Sequence, residues 1–202
     1  MTIVAALLAA GGGTRYAGAT HKLLARSLAG RSVIEQSVAN LIAATIDQTS
    51  DETGDRVIEG PVIVVTGAVQ LTLPEAVEVR HNPNWASGQA SSIQVAVSAA
   101  EQRHADFVLI GLADQPGIAP TAWRAVAAAP PEHLIVVAAY DGRRGPHPVR
   151  LHRSLWPMLA STGDGGARTL LRDHPALVHE IDCEGSAFDI DTLEDAQQWR
   201  SS

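Results

Sequence analysis

Near the start of the chain, three glycines, Gly11, Gly12 and Gly13, precede two basic residues, Arg15 and Lys22. Successive glycines after an apolar run let backbone N–H groups turn towards one point with no Cβ in the way. With two positive charges beside them, they suit binding of a polyanion, a triphosphate above all. A second chemical feature lies far downstream. Asp114 follows the apolar segment DFVLIGL at Asp106–Leu112. A carboxylate there is unfavourable unless it is solvated, paired or bound to a cation, and a hard metal ion supplies a reason for it. Near the C-terminus, Asp189-Ile190-Asp191 offers two carboxylates two residues apart, on one face if the segment is extended.

The glycine run fails two familiar tests. A dinucleotide fingerprint requires G-x-G-x-x-G, and Tyr16 stands where the third glycine belongs. A P-loop requires G-x-x-x-x-G-K-[ST]. Gly13 and Gly18 have that spacing, but Ala19 replaces the lysine. Two readings stay open on the residues alone: a phosphate cradle, or a tight strand-to-helix turn with solvated charges at Arg15 and Lys22.

These residues need a scaffold, and the pattern of the chain supplies one. Apolar runs at Ile3–Ala9, Pro61–Thr66, Ala76–Arg80, Asp106–Leu112, Leu134–Ala139 and Leu177–Ile181 read as strands. Helical spacing occurs over Ser32–Ile46, Ser91–Arg103, Thr121–Ala129 and Leu193–Trp199, with shorter helices at Ala68–Leu73, Leu155–Leu159 and Ala167–Arg172. Such alternation predicts an α/β fold with a mostly parallel sheet covered on both faces. A hairpin is expected about Asp141-Gly142, restricted by Pro146 and Pro148. Asp47–Gly60 reads as a polar surface loop, and His81–Gly88 as a further loop. The 202 residues suit one domain, residues 1–202. In open α/β sheets ligands sit beyond the C-terminal strand ends, so Gly11–Gly13 and Asp114 are expected to face one crevice.

Composition excludes several classes of function. The formal net charge of -7 offers no broad field for nucleic acid. One cysteine, Cys183, rules out an intramolecular disulfide and any multi-cysteine metal site. The histidines show no zinc-ligand spacing. No signal segment or membrane span is read, which predicts a cytoplasmic chain.

The run LAAGGGTR at Leu8–Arg15 with HKLL at His21–Leu24 resembles the signature loop of nucleotidyltransferases, above all the molybdenum cofactor cytidylyltransferases. The resemblance continues through GQASSI at Gly88–Ile93, LADQP at Leu112–Pro116 and GRRGPHPV at Gly142–Val149. It ends with GDGGAR at Gly163–Arg168 and DIDTLED at Asp189–Asp195. It implies a single Rossmann-like, three-layer αβα nucleotidyltransferase domain that uses Mg²⁺. Such an enzyme transfers a nucleoside monophosphate to a phosphorylated acceptor and releases pyrophosphate.

The roles implied by that resemblance are specific. Gly11, Gly12, Gly13 and Arg15 would hold the β- and γ-phosphates, and Lys22 the α-phosphate. Asp114 and Asp191 would bind the metal, with Asp189 in support; Asp191-Thr192 also reads as a helix start. Gly88, Ser91 and Ser92 would line the nucleoside side, the serines equally suited to capping the following helix. Trp85 would stack on a base or pack in its loop. Ala9-Ala10-Gly11 has the form of cytidylyl-transferring members, which implies CTP. His147 and Arg168 would meet the acceptor, molybdenum-bound molybdopterin. Against this, Pro146 intrudes between Gly145 and His147, so His147 equally suits stiffening the loop, and an Asp164–Arg168 pair at helical spacing is the alternative for Arg168. A molybdenum hydroxylase apoenzyme is an implied partner. Rival readings are another acceptor (a sugar, polyol or phospholactate-like phosphate) and a non-catalytic cofactor chaperone.

Overall fold

The computed structural model describes residues 1–46 and 58–201, so most of the loop expected at Asp47–Gly60 lies outside the described residues. Seven strands form one sheet: β1 Ile3–Ala9, β2 Val62–Thr66, β3 Val77–His81, β4 Phe107–Leu112, β5 Ile135–Tyr140, β6 Arg143–His152 and β7 Val178–Asp182. Their order is β3-β2-β1-β4-β6-β5-β7. Only β6 runs antiparallel to its neighbours. The helices are α1 Val33–Ile46, α2 Gln89–Gln102, α3 Pro120–Ala127, α4 Arg168–Asp173 and α5 Leu193–Ser201. The expected mixed α/β fold with a mostly parallel sheet is therefore observed.

Strand β1 is buried along its whole length, as a central parallel strand must be. Its side chains alternate between two cores. Ile3, Ala5, Leu7 and Ala9 pack with residues of α1, α3 and α5, including Val33, Leu41, Trp123 and Ala196. Val4, Ala6, Leu8 and Ala10 pack with α2 and α4 through Ile93, Ala96 and Leu170. Small residues on α2, among them Ala96, Ala99 and Ala100, are buried and let that helix lie close on the sheet.

Local sequence explains several boundaries. Ser32 and Glu35 form a reciprocal capping box at α1: the Ser32 N–H donates to Glu35 Oε2 at 2.7 Å and the Glu35 N–H to Ser32 Oγ at 3.3 Å. Asp141 and Gly142 both have positive φ and join Tyr140 to Arg143 across a two-residue turn. Further along this hairpin the register shifts: Val137 faces Val149, whereas Ala139 faces Arg144. Gly145–Pro148 lie within that irregularity, where neither Pro146 nor Pro148 has an N–H to donate. The expected helix at Ala68–Leu73 does not form. So short a segment gains little from helical bonds, and the Ala68 N–H donates to Ala10 O at the end of β1.

A fastening not read from the sequence is Arg150, wholly buried on β6. Its guanidinium donates to the carbonyls of Ala127, Ala129, Pro130 and His133 at 2.5–3.2 Å and lies 4.4 Å from the centre of the Phe107 ring. Burial pushes its pKa down to about 10. It ties the end of α3 to the sheet.

Close packing also fixes the strand that carries Asp114. A Cβ at Gly111 would collide with the buried ring of Trp123. Gly111→Ala should therefore destabilise the fold by roughly 1–3 kcal/mol, as overpacked cores do. Urea unfolding followed by tryptophan fluorescence measures it, and an unchanged midpoint would contradict the tight contact.

Candidate active site

Strands β1 and β4 are parallel neighbours, so the loops after them leave the same edge of the sheet. A cavity of about 490 Å³ opens there. Ala9, Ala10, Gly11, Gly12, Gly13 and Arg15 line it from the first loop, and Asp114 from the second. Lys22 reaches it from a short 3₁₀ turn at Lys22–Leu24, and Asp191 from the segment before α5.

At its centre the Lys22 ammonium donates to Asp114 Oδ2 at 2.6 Å and to Asp191 Oδ1 at 2.8 Å. Arg15, largely exposed, pairs with the other oxygen of Asp191 at 2.8 Å. Burial works against the Lys22 charge, but Asp114 and Asp191 outweigh it and hold the pKa above its ordinary value. The two basic residues thus rest on carboxylates.

Asp191 is held by the start of α5. Asp195 Oδ2 accepts from the N–H groups of Asp191 and Thr192 at 2.9 and 2.7 Å, and Thr192 Oγ1 accepts from the Asp195 N–H at 3.1 Å. Asp191 therefore both faces the cavity and belongs to a helix start. The Ile190 N–H donates to Asp114 O at 2.9 Å, bringing the two acidic segments together.

Asp189 is not among the lining residues. These residues are not part of a strand, and Ile190 between the two carboxylates is sealed in the core. Burial, with Asp114 and Asp191 nearby, pushes the Asp189 pKa up.

His21 has a role the sequence did not disclose. Its Nδ1 accepts from the Leu23 N–H at 3.3 Å, which leaves Nε2, 3.0 Å from Gly11 O, as the donor. Burial lowers its pKa, opposed by the bond to Gly11, consistent with a neutral ring. One imidazole thus joins the glycine loop to the turn carrying Lys22. A Cβ at Gly13 would lie 2.9 Å from His21 Nε2, and Gly13 itself has φ of +62°, so glycine is required there twice over. The only local signal is a histidine directly before Lys22.

The far wall is formed by Trp85, Gly88, Gln89, Ser92 and Asp164. Trp85 packs against Gly12 and Gly67 while also lining the cavity. Gly88, with φ of +107°, touches Gly163 and Asp164, so its close approach is to that loop. Neither serine caps α2, which starts at Gln89 with no side-chain cap. Ser92 lines the cavity; Ser91 does not. Ser91 Oγ is engaged by Asn82 and by the carbonyls of Asn84 and Gly88.

His147 and Arg168 lie in a second cavity of about 420 Å³, which shares Gln89 with the first. No Asp164–Arg168 ion pair forms among the described residues. His147 is 7% exposed, and its Nδ1 has no hydrogen-bond partner. Burial, aided by the Arg168 charge, lowers its pKa to about 3.

Among the described residues no three or more His, Cys, Asp and Glu side chains converge on a metal position. Asp114 and Asp191 nevertheless fit a hard divalent cation. Both reach one ammonium, and Asp114 Oδ1 is buried without a partner; phosphate oxygens and water commonly complete such a set.

A cavity at parallel strand ends, walled by a glycine loop, two cations and two carboxylates, suits the chemistry of a nucleotidyltransferase. Residues 5–178 match the MobA-like NTP transferase domain; the chain belongs to that family and is an enzyme of the nucleotidyltransferase type. It is 31% identical to nicotine blue oxidoreductase of Paenarthrobacter nicotinovorans, over 95% of this chain and 93% of that one. The fold is similar to that of Rv0371c from Mycobacterium tuberculosis H37Rv, with a TM-score of 0.76, 25% identity and coverage of 99% and 98% of the two chains. It is also similar to a nucleotidyl transferase from Methanothermobacter thermautotroptrophicus, with a TM-score of 0.74, 23% identity and coverage of 98% and 96%. No helix among the described residues is long and apolar enough to cross a membrane.

Two outcomes follow from the geometry. Lys22→Met removes the cation resting on Asp114 and Asp191, so the nucleotide-free protein should bind Mn²⁺ about tenfold more tightly, ~1.4 kcal/mol. Electron paramagnetic resonance titration measures this, and unchanged affinity would place the metal elsewhere. His147 has a folded pKa below its unfolded value near 6.5, so the unfolded chain takes up the proton first. Stability should fall as pH drops below about 6.5, by about 2 kcal/mol at pH 5. Urea unfolding at pH 7 and pH 5 should show that extra loss in the wild type and not in His147→Gln; equal losses would refute it.

Proposed function

We propose that the chain transfers CMP from CTP to a phosphate of molybdenum-bound molybdopterin, forming the cytosine dinucleotide and releasing pyrophosphate. The carrying observation is the meeting of Lys22, Asp114 and Asp191 beside the glycine loop. An acceptor phosphate oxygen attacks the α-phosphorus of the nucleotide; the bond to the β-phosphate breaks, and its electron pair leaves with pyrophosphate. Negative charge accumulates on phosphate oxygens, so positioning and fixed positive charge supply the catalysis.

On this reading Lys22 exchanges its carboxylate partners for the α-phosphate, and Arg15 with the amides of Gly11–Gly13 holds the leaving pyrophosphate. Asp114 and Asp191 hold Mg²⁺, which when bound neutralises charge on the triphosphate; Asp189 stands behind them. Ser92, Gly88 and Trp85 bound the nucleoside. Ala9-Ala10-Gly11 supports CTP, and solved proteins of similar fold include one complexed with CTP and one with manganese. A molybdenum hydroxylase apoenzyme is the proposed recipient of the product.

A second reading comes from the relative named an oxidoreductase: electron transfer at the same cavity. The missing dinucleotide fingerprint at Tyr16 weighs against it. Pyrophosphate release from CTP, Mg²⁺ and molybdenum-bound molybdopterin tests the proposal. Asp114→Ala should lose nearly all activity, and Lys22→Ala should slow turnover by about a hundred- to thousandfold. Oxidation of a reduced nicotinamide dinucleotide without pyrophosphate release would select the second reading.

A further inference from the structure

We infer that His21 is a positioning residue for polyphosphate binding: by taking up the Gly11 carbonyl, it presents the amides of the glycine loop to the anion. The loop divides its backbone groups unevenly. Ala10 O accepts from the Ala68 N–H at 3.0 Å, and Gly13 O from the Tyr16 N–H at 2.9 Å. Gly11 O is met by a side chain instead, His21 Nε2 at 3.0 Å. The N–H groups of Gly11, Gly12 and Gly13 donate to no protein acceptor among the described residues. Carbonyls of this loop are thus satisfied while its donors are left unspent, as an anion requires.

The orientation of the Gly11 carbonyl fixes that of a donor. In a trans peptide the C=O of one residue and the N–H of the next point in opposite directions, and Gly11–Gly12 is trans. Drawing Gly11 O towards the imidazole therefore turns the Gly12 N–H away from it. Glycine torsions are too permissive to hold that plane by themselves. A plane rotated by half a turn would set a carbonyl dipole where the amide had been, against a phosphate oxygen.

His21 is itself firmly held. Its Nδ1 caps the 3₁₀ turn Lys22–Leu24 by accepting from the Leu23 N–H at 3.3 Å. Its carbonyl accepts from the Leu24 N–H at 2.8 Å, and the Leu23 side chain is buried. Burial, aided by the Lys22 charge, lowers the pKa of the ring, so Nδ1 stays free to accept and Nε2 carries the proton. The ring also fills the space beside Gly13.

The two nitrogens have separate duties, so substitution can separate them. Asparagine keeps an acceptor at the Nδ1 position but is too short for Gly11 O; glutamine places an amide donor at the Nε2 position. Calorimetric titration with inorganic tripolyphosphate and Mg²⁺ probes the loop without a base. His21→Asn should weaken binding by about tenfold, and His21→Gln should restore it to within about threefold of wild type. In pyrophosphate release from CTP, which rests on the transferase reading, His21→Asn should raise KM for CTP by about tenfold with kcat within about threefold, because the amides hold the phosphates before and during transfer alike. No tripolyphosphate binding to wild type, unchanged affinity in His21→Asn, or equal loss in both variants would overturn the proposal. Should neither variant fold, heteronuclear NMR of the wild-type imidazole decides. A proton on Nε2 that stays coupled to the Gly11 carbonyl with tripolyphosphate bound supports it; a proton on Nδ1, or loss of that coupling, refutes it. The same variant effects on tripolyphosphate, with no pyrophosphate release by wild type, would remove the transferase reading and leave the role of His21 standing.

Discussion

The contact on which the site depends is the Lys22 ammonium between Asp114 and Asp191. Its partners lie 92 and 169 residues away in sequence, and all three side chains are mostly withdrawn from solvent. Two carboxylates brought together in a half-buried place repel each other; a positive charge must lie between them. Here that charge is the lysine, and with Arg15 on the outer oxygen of Asp191 the group is formally neutral. A cation and a triphosphate can enter by exchanging partners, with little change in the total charge that must be accommodated.

The sheet makes this convergence possible. β1 and β4 deliver their following loops to one edge because they are parallel and adjacent, and the end of the chain returns to the same edge through the Ile190–Asp114 backbone bond. The remaining precision is local. His21 joins the glycine loop to Lys22, and Asp195 fixes the backbone of Asp191. Arg150 holds the opposite side of β6 through bonds to carbonyls, where burial of an arginine is tolerated because most of its donors are satisfied.

What the sequence disclosed follows from how local each signal is. β1, the glycine loop and the Asp141-Gly142 turn were legible because a run of apolar residues or one dipeptide specifies each. The resemblance to nucleotidyltransferases brought Lys22, Asp114 and Asp191 into one hypothesis, yet not the lysine's present partners, since side-chain pairing across 169 residues leaves no periodic trace. Ser91 looked suited to capping, but the turn at Gly88 starts the helix two residues earlier and turns that hydroxyl inward. Asp189 flanks the buried Ile190 as Asp191 does, yet only Asp191 lines the cavity, a difference that two-residue spacing does not record. Arg150 would pass for an ordinary surface cation by composition; only the carbonyls gathered at the end of α3 explain its burial.

The contact of Gly88 with the Gly163–Asp164 loop makes the start of α2 a party wall between the two cavities. The Ala90 N–H donates to Gly163 O at 3.0 Å and the Gly163 N–H to Ser87 O at 2.8 Å, so the loop is bonded to that wall from both directions. Enlarging either chamber by moving the wall narrows the other. The shapes of the two cavities are therefore coupled: a substitution that moves this wall is felt on both of its sides, through Gln89 that lines each of them.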